Sequence, residues 1–244
     1  MRNLRLDICY DGTRYQGWQR QPGDIMTIQG KLETALSRIL EEPVEVFGSG
    51  RTDTGVHAKG QVANFHCKNP MPAGQILRQL RRYLPDDIGI YSCREVSERF
   101  HARLNARRKT YCYRIWNSEE PCVFEKRFVT PIPEKLDVEA MRSAANCFLG
   151  EHDFGAFCTN RKTKKSTVRT IYSCDVERIG KEIRVTVTGN GFLHNMVRIL
   201  VGTLLEVGMH TRDGASIPGL FGGKREEAGA MAPARGLCMM EVIY

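Results

Sequence analysis

The 244-residue sequence holds nine cysteines but no C-x-x-C pair, and its six histidines supply no metal-ligand spacing. Zinc sites need closely spaced Cys and His ligands, so no metal is expected. The odd number of cysteines, scattered over apolar positions, argues against a disulfide framework. They read as reduced thiols acting as small hydrophobes in a cytoplasmic protein. No apolar run approaches the roughly 18 residues a membrane-spanning helix requires. The most apolar helical stretch, FLHNMVRILVGTLLEVGM, is interrupted by Arg198 and Glu206. The opening MRNLRLDICYDG alternates apolar and polar residues and lacks the apolar core of a signal peptide. Neither a membrane nor an export route is expected.

What is present is positive charge. Lys and Arg number 36 against 28 Asp and Glu, a net charge of +8, which favours a polyanionic partner. The charge is clustered. RKTKKSTVR (161–169) has five basic residues and no acid, and HARLNARRKTYCYR (101–114) has six, His101 included, interleaved with Tyr111 and Tyr113. RQLRRYL adds Arg78, Arg81 and Arg82 on a helical pattern. Cations meet phosphates while rings stack on bases, so this mixture suits RNA.

Hydrophobic periodicity gives the element order. NLRLDICY places Leu4, Leu6, Ile8 and Tyr10 on one face of a strand. TIQGKLETALSRILEE is a helix with Thr27 as its N-cap, followed by the strands VEVFG and GQVANFHC. AGQILRQLRRYL is a second helix and IGIYSCREV a fourth strand. The second half repeats the order: strand KTYCYRIWN, helix DVEAMRSAANCFLG, a strand pair turning near Gly180, helix FLHNMVRILVGTLLEVG and strand GLCMMEVIY. The expected fold is therefore α+β. Two ferredoxin-like β-α-β-β-α-β halves, 1–105 and 106–244, would join their antiparallel sheets around a central RNA-binding cleft. Residues 11–26, with Tyr15, Trp18 and Arg20, read as a binding arm, and 211–235 as a long Gly- and Ala-rich loop.

GSGRTDTGVHAKGQVANF (48–65) places one carboxylate, Asp53, in a glycine-bounded loop between two strands. Such a loop is by itself compatible with an ordinary turn. With Tyr111 on a strand and Arg198 on a helix, its parts also suit chemistry at a glycosidic bond. A carboxylate acts on the sugar carbon, a guanidinium keeps it ionised and oriented, and a tyrosine ring stacks on the base. His57 reads as a residue that hydrogen-bonds the loop.

Five blocks carry a resemblance: YDGTRYQGWQRQP, GSGRTDTGVHAKGQVANF, FHARLNARRKTYCYRI, GFLHNMVRILVGTL and APARGLCMMEVIY. In this order, over essentially the whole chain, they resemble the tRNA pseudouridine synthase A (TruA) family. The resemblance implies that Asp53, in the catalytic loop 48–60, is the catalytic nucleophile. It implies that Tyr111 stacks on the target uracil, that Arg198 pairs with the carboxylate, and that Arg51 enters the stem to hold the nucleotide flipped out. It further implies a homodimer that isomerises uridine to pseudouridine at positions 38–40 of the tRNA anticodon stem-loop, without cofactor or metal. Two other readings remain from the residues alone. A non-catalytic RNA-binding protein needs the basic and aromatic clusters but not Asp53. A nucleosidase usually employs two working carboxylates, and one is found in a suitable setting.

Overall fold

The computed structural model describes residues 1–23, 25–159 and 166–244. Most of the basic run 161–169 lies outside the described residues. The chain divides into two compact units, residues 1–107 with 239–244, and residues 108–238. The first contains β1 (Arg2–Tyr10), α1 (Ile28–Leu40), β2 (Val46–Gly48), β3 (His57–Cys67), α2 (Ala73–Tyr83) and β4 (Ile88–Val96). The second contains β5 (Arg108–Trp116), β6 (Thr130–Pro131), α3 (Val138–Ala145), β7 (Gly150–Asp153), β8 (Val168–Ile179), β9 (Glu182–Gly189) and α4 (Met196–Gly208). The last strand, β10 (Leu237–Ile243), belongs to the first unit from residue 239 onward. The α+β class and the doubled β-α-β-β-α-β order are as expected. The short strands β6 and β7 are additions that periodicity does not reveal, because two to four residues are too few to show a period.

In the first unit the strand order is β4-β1-β3-β10, with β2 also on β3. The pairs of β1 with β3 and β4, and of β2 with β3, are antiparallel. The register sets Leu4 opposite Phe65, Leu6 opposite Ala63 and Ile8 opposite Gln61. One sheet face thus meets the stripe Ile28, Leu32 and Leu36 of α1, and Ile76 and Leu80 of α2, all fully buried. Each such side chain contributes roughly 1.5–3 kcal/mol. Thr27 caps α1 by accepting from the Gly30 N–H at 3.2 Å. Arg78, Arg81 and Arg82 lie on the exposed side of α2.

Two of the three side chains that marked residues 11–26 as a binding arm, Tyr15 and Trp18, face inward, while Arg20 is exposed. Tyr15 and Trp18 are buried, with the Tyr15 hydroxyl donating to Asp87 Oδ1 at 2.6 Å. Trp18 packs over Gly48, where an added Cβ would fall 2.4 Å from its Cε2. Gln29 and Glu33 on α1 secure the end of the segment, Gln29 Oε1 accepting from the Arg20 N–H and Glu33 Oε2 from the Arg20 guanidinium.

The second unit has the order β5-β9-β8-β7, all antiparallel, with β6 parallel to β5. Arg114, from the basic run expected to meet RNA, is instead committed within the protein. Its Nε and Nη2 hold the two carboxylate oxygens of buried Glu182 at 2.8 and 2.7 Å. Burial raises the Glu182 pKa, but the bonds from Arg114 and Arg184 outweigh it and hold the carboxyl below its ordinary value. Residues 228–232 of the long loop lie along α4, with Gly229 N–H donating to Thr203 Oγ1 and Ala230 N–H to Glu206 Oε1. A glycine is needed where they meet, since a Cβ on Gly202 would sit 1.6 Å from the Ala230 carbonyl oxygen. None of the nine cysteines forms a disulfide, and five are buried. Among the described residues no helix is long and apolar enough to cross a membrane.

Gly202→Ala is expected to lower the unfolding free energy by roughly 1–3 kcal/mol through this overlap. Gly219→Ala, where a methyl meets nothing within 4 Å, should change it by less than about 0.5 kcal/mol. Urea unfolding of the two variants checks the contrast.

Candidate active site

The loop between β2 and β3 is anchored at alternate depths. Ser49, Thr52 and Val56 are buried, while Arg51 is exposed and Asp53 half-buried. Arg51 and Asp53 therefore flank a residue that cannot leave the core. The Asp53 carbonyl accepts from the Val56 N–H at 3.1 Å, closing a turn with Gly55 at φ 77°, the position a type II turn reserves for glycine. The neighbouring segment holds the loop from below: Trp18 N–H donates to the Thr52 carbonyl at 3.0 Å, and Gly55 N–H to the Tyr15 carbonyl at 3.2 Å. Gly17, at φ 83°, makes the approach possible, because a Cβ there would lie 2.7 Å from the Thr52 carbonyl oxygen. His57 is the first residue of β3, one step beyond the loop. Its Nδ1 accepts from the Gly12 N–H at 3.0 Å, tying the 11–26 segment to the loop's end.

In the second unit, Tyr111 lies on β5 opposite Val187 and is mostly buried. The Phe192 ring meets it edge-on, with centroids 5.1 Å apart and planes at 84°. Tyr113 follows on the same strand face and is fully buried, its hydroxyl 2.7 Å from Thr130 Oγ1 and donating to the Pro233 carbonyl at 2.8 Å. Burial pushes its phenol up to about 12, against a smaller opposing effect of the Thr130 bond. Gly236 lies against this ring, where a Cβ would be 2.6 Å from Cζ.

Arg198 projects from the first turn of α4. The helix was expected from Phe192, but it starts at Met196 because Asn195 adopts a left-handed conformation, φ 62° and ψ 8°. That turn presents Asn195 Oδ1 to Arg198 Nη1 at 3.0 Å, while Arg198 Nε donates to the Ala232 carbonyl at 2.8 Å. The guanidinium plane is thus fixed by two bonds. Asn195 is itself held, its Nδ2 donating to Thr159 Oγ1 at 2.9 Å, and Thr159 Oγ1 lies 2.7 Å from His194 Nδ1. Asn195, Thr159 and Ala232 were not singled out from the sequence. The H-N-M-V-R spacing, which puts Asn195 three residues before Arg198, is the signal that finds the first of them.

Among the described residues no group of three or more His, Cys, Asp or Glu is placed to hold a metal ion. A groove of about 820 Å³ in the second unit is lined by Asn117, Lys135, Asp137, Arg178 and His210 among others, and contains none of the candidate residues.

The first unit thus presents a half-buried carboxylate, Asp53, on an anchored loop, and the second presents a guanidinium with a fixed plane, Arg198, and a largely buried strand tyrosine, Tyr111. The family model for tRNA pseudouridine synthase matches residues 8–105 and 144–244. The chain is 46% identical over 245 residues to tRNA pseudouridine synthase A of Brevibacillus brevis, covering the whole of both sequences. It is 46% identical over 246 residues to tRNA pseudouridine synthase A 2 of Clostridium perfringens and 43% over 245 residues to that of Bacillus cereus, again end to end. The chain belongs to the tRNA pseudouridine synthase family.

Asn195→Ala is expected to cost about 1–2 kcal/mol of stability, since alanine resists the left-handed region. Asn195→Gly should recover the backbone part and leave only the lost side-chain bonds. Urea unfolding of the three proteins measures the split.

Proposed function

We propose that this chain isomerises uridine to pseudouridine at positions 38–40 in the anticodon stem-loop of tRNAs. The supporting observation is the anchored loop carrying Asp53 in a chain that matches its family from end to end. The reaction breaks the N1–C1′ bond, turns the freed uracil and rejoins it to C1′ through C5, while a proton leaves C5 and one is gained at N1. Substrate and product are isomers, so the chemistry consumes no oxidant and no energy donor.

Asp53 is the carboxylate nucleophile that initiates loss of uracil from C1′. Arg198 pairs with that carboxylate and keeps it ionised, a task suited to a guanidinium whose plane is already set by Asn195 and Ala232. Tyr111 stacks on the target uracil, and Arg51, exposed beside Asp53, enters the stem and holds the nucleotide out of the helix. Arg78 and Arg82, exposed on α2, contribute to a phosphate footprint, consistent with the net charge of +8. The working form is a homodimer in the cytoplasm.

The test is a map of pseudouridine in an unmodified tRNA with uridines at positions 38–40, incubated with the purified protein and no added cofactor. Pseudouridine is expected at those positions. Asp53→Asn should lower turnover by at least about a thousandfold while tRNA affinity stays within a few-fold. Tight binding with no pseudouridine from the unaltered protein would return the chain to the RNA-binding reading.

A further inference from the structure

Gln61 occupies a place where the register calls for an apolar side chain. It lies opposite Ile8 on the core face of β3 and has no solvent exposure. Burying an amide is costly unless its hydrogen bonds are made. Here they are made to the active-site loop. Gln61 Oε1 accepts from Ser49 Oγ at 2.6 Å, and Gln61 Nε2 donates to the Gly50 carbonyl at 2.9 Å. The same Nε2 lies 3.4 Å from the Tyr10 hydroxyl, a bond near the long limit. The Tyr10 hydroxyl in turn lies 2.8 Å from Thr52 Oγ1. Tyr10 and Thr52 are each 5% exposed and Ser49 is fully buried, so water scarcely competes for these bonds.

We infer that Tyr10, Thr52 and Gln61 form a buried relay that positions Asp53 for the reaction. The inference rests on the isomerase reading above and extends it to residues that do not touch substrate. Gln61 fixes the entry to the loop at Ser49 and Gly50, and Tyr10 fixes its middle at Thr52. Arg51 and Asp53 leave the chain on either side of Thr52, so its hydroxyl bond sets the origin of both side chains. Packing alone does not do this. Trp18 N–H fixes the Thr52 carbonyl at 3.0 Å, and the hydroxyl bond is the second point that stops Thr52 turning about that contact and carrying Asp53 with it.

The variants are Tyr10→Phe and Thr52→Val, which lose one hydroxyl each at nearly constant shape, and Thr52→Ser, which keeps it. Each is followed in single turnover on unmodified tRNA, and by hydrogen exchange across residues 49–57. In Tyr10→Phe and Thr52→Val the single-turnover rate should fall about ten- to a hundredfold, the scale of a small misplacement of a reacting group. The tRNA Kd should move by less than the rate does, since of the binding side chains only Arg51 starts from the displaced segment. Amides of the loop should exchange faster while those of α1 do not change. Thr52→Ser should recover most of the rate and the slow exchange. The double variant should be no more than about twofold slower than Tyr10→Phe, because Thr52→Val breaks only the Tyr10–Thr52 bond that Tyr10→Phe has already removed.

Unchanged loop exchange in both hydroxyl-lacking variants overturns the inference, and so does an equal rate loss in Thr52→Ser and Thr52→Val. If Tyr10→Phe does not fold, the two Thr52 variants still decide. If the unaltered protein makes no pseudouridine, the isomerase reading fails on its own. The exchange arm then still shows whether the relay holds the loop.

Discussion

The bond between the Tyr10 phenol and Thr52 Oγ1 is the constraint on which the loop between β2 and β3 depends. A carboxylate that works on a sugar carbon must be held within a fraction of an ångström of its place, because proximity supplies much of the rate. A loop with six hydroxyl- or glycine-bearing positions among residues 48–55 is a poor material for such precision. Fixing Thr52 from three directions, by hydroxyl, by carbonyl and through the glycine opposite it, removes that freedom locally. Glycine freedom is retained only at Gly55, where the turn requires a positive φ.

The second unit solves the same problem for Arg198 with different parts. There the strained residue is Asn195, whose left-handed backbone costs something that its side-chain bonds to Arg198 and Thr159 return. In the first unit Asp53 sits beside an anchored residue, Thr52, and in the second Arg198 is itself tied to Asn195 and Ala232. Anchoring of this kind also explains the buried polar residues. Gln61 and Gln29 are not defects in an apolar core but the means by which flexible segments are tied to it.

Much of this was legible in the sequence, and the failures share a cause. The strand β1, the capped helix α1 and the doubled element order follow from local periodicity, which the residues carry in themselves. Residues whose meaning depends on a distant partner were misread. Tyr15 and Trp18 looked like aromatic contacts for RNA, yet Asp87 and Gly48 claim them. Arg114 looked like part of a phosphate-binding run, yet Glu182 lies 68 positions away in sequence and holds it. Helix α4 was read four residues too long because Phe192, Leu193 and Met196 fit a helical stripe, while the left-handed Asn195 leaves no trace in hydrophobicity. Gln61 leaves no local signal for the converse reason: its strand pattern is complete without it.

A structure of the Asp53→Asn protein bound to an unmodified anticodon stem-loop tests the central claim most directly. The expected structure has a target uridine turned out of the helix with its C1′ within about 3.5 Å of the side chain at position 53, the spacing of a near-attack geometry. It also has Arg51 against the stem and the Tyr10–Thr52 bond intact. A bound RNA whose uridines stay stacked, or lie far from the 48–56 loop, would contradict it.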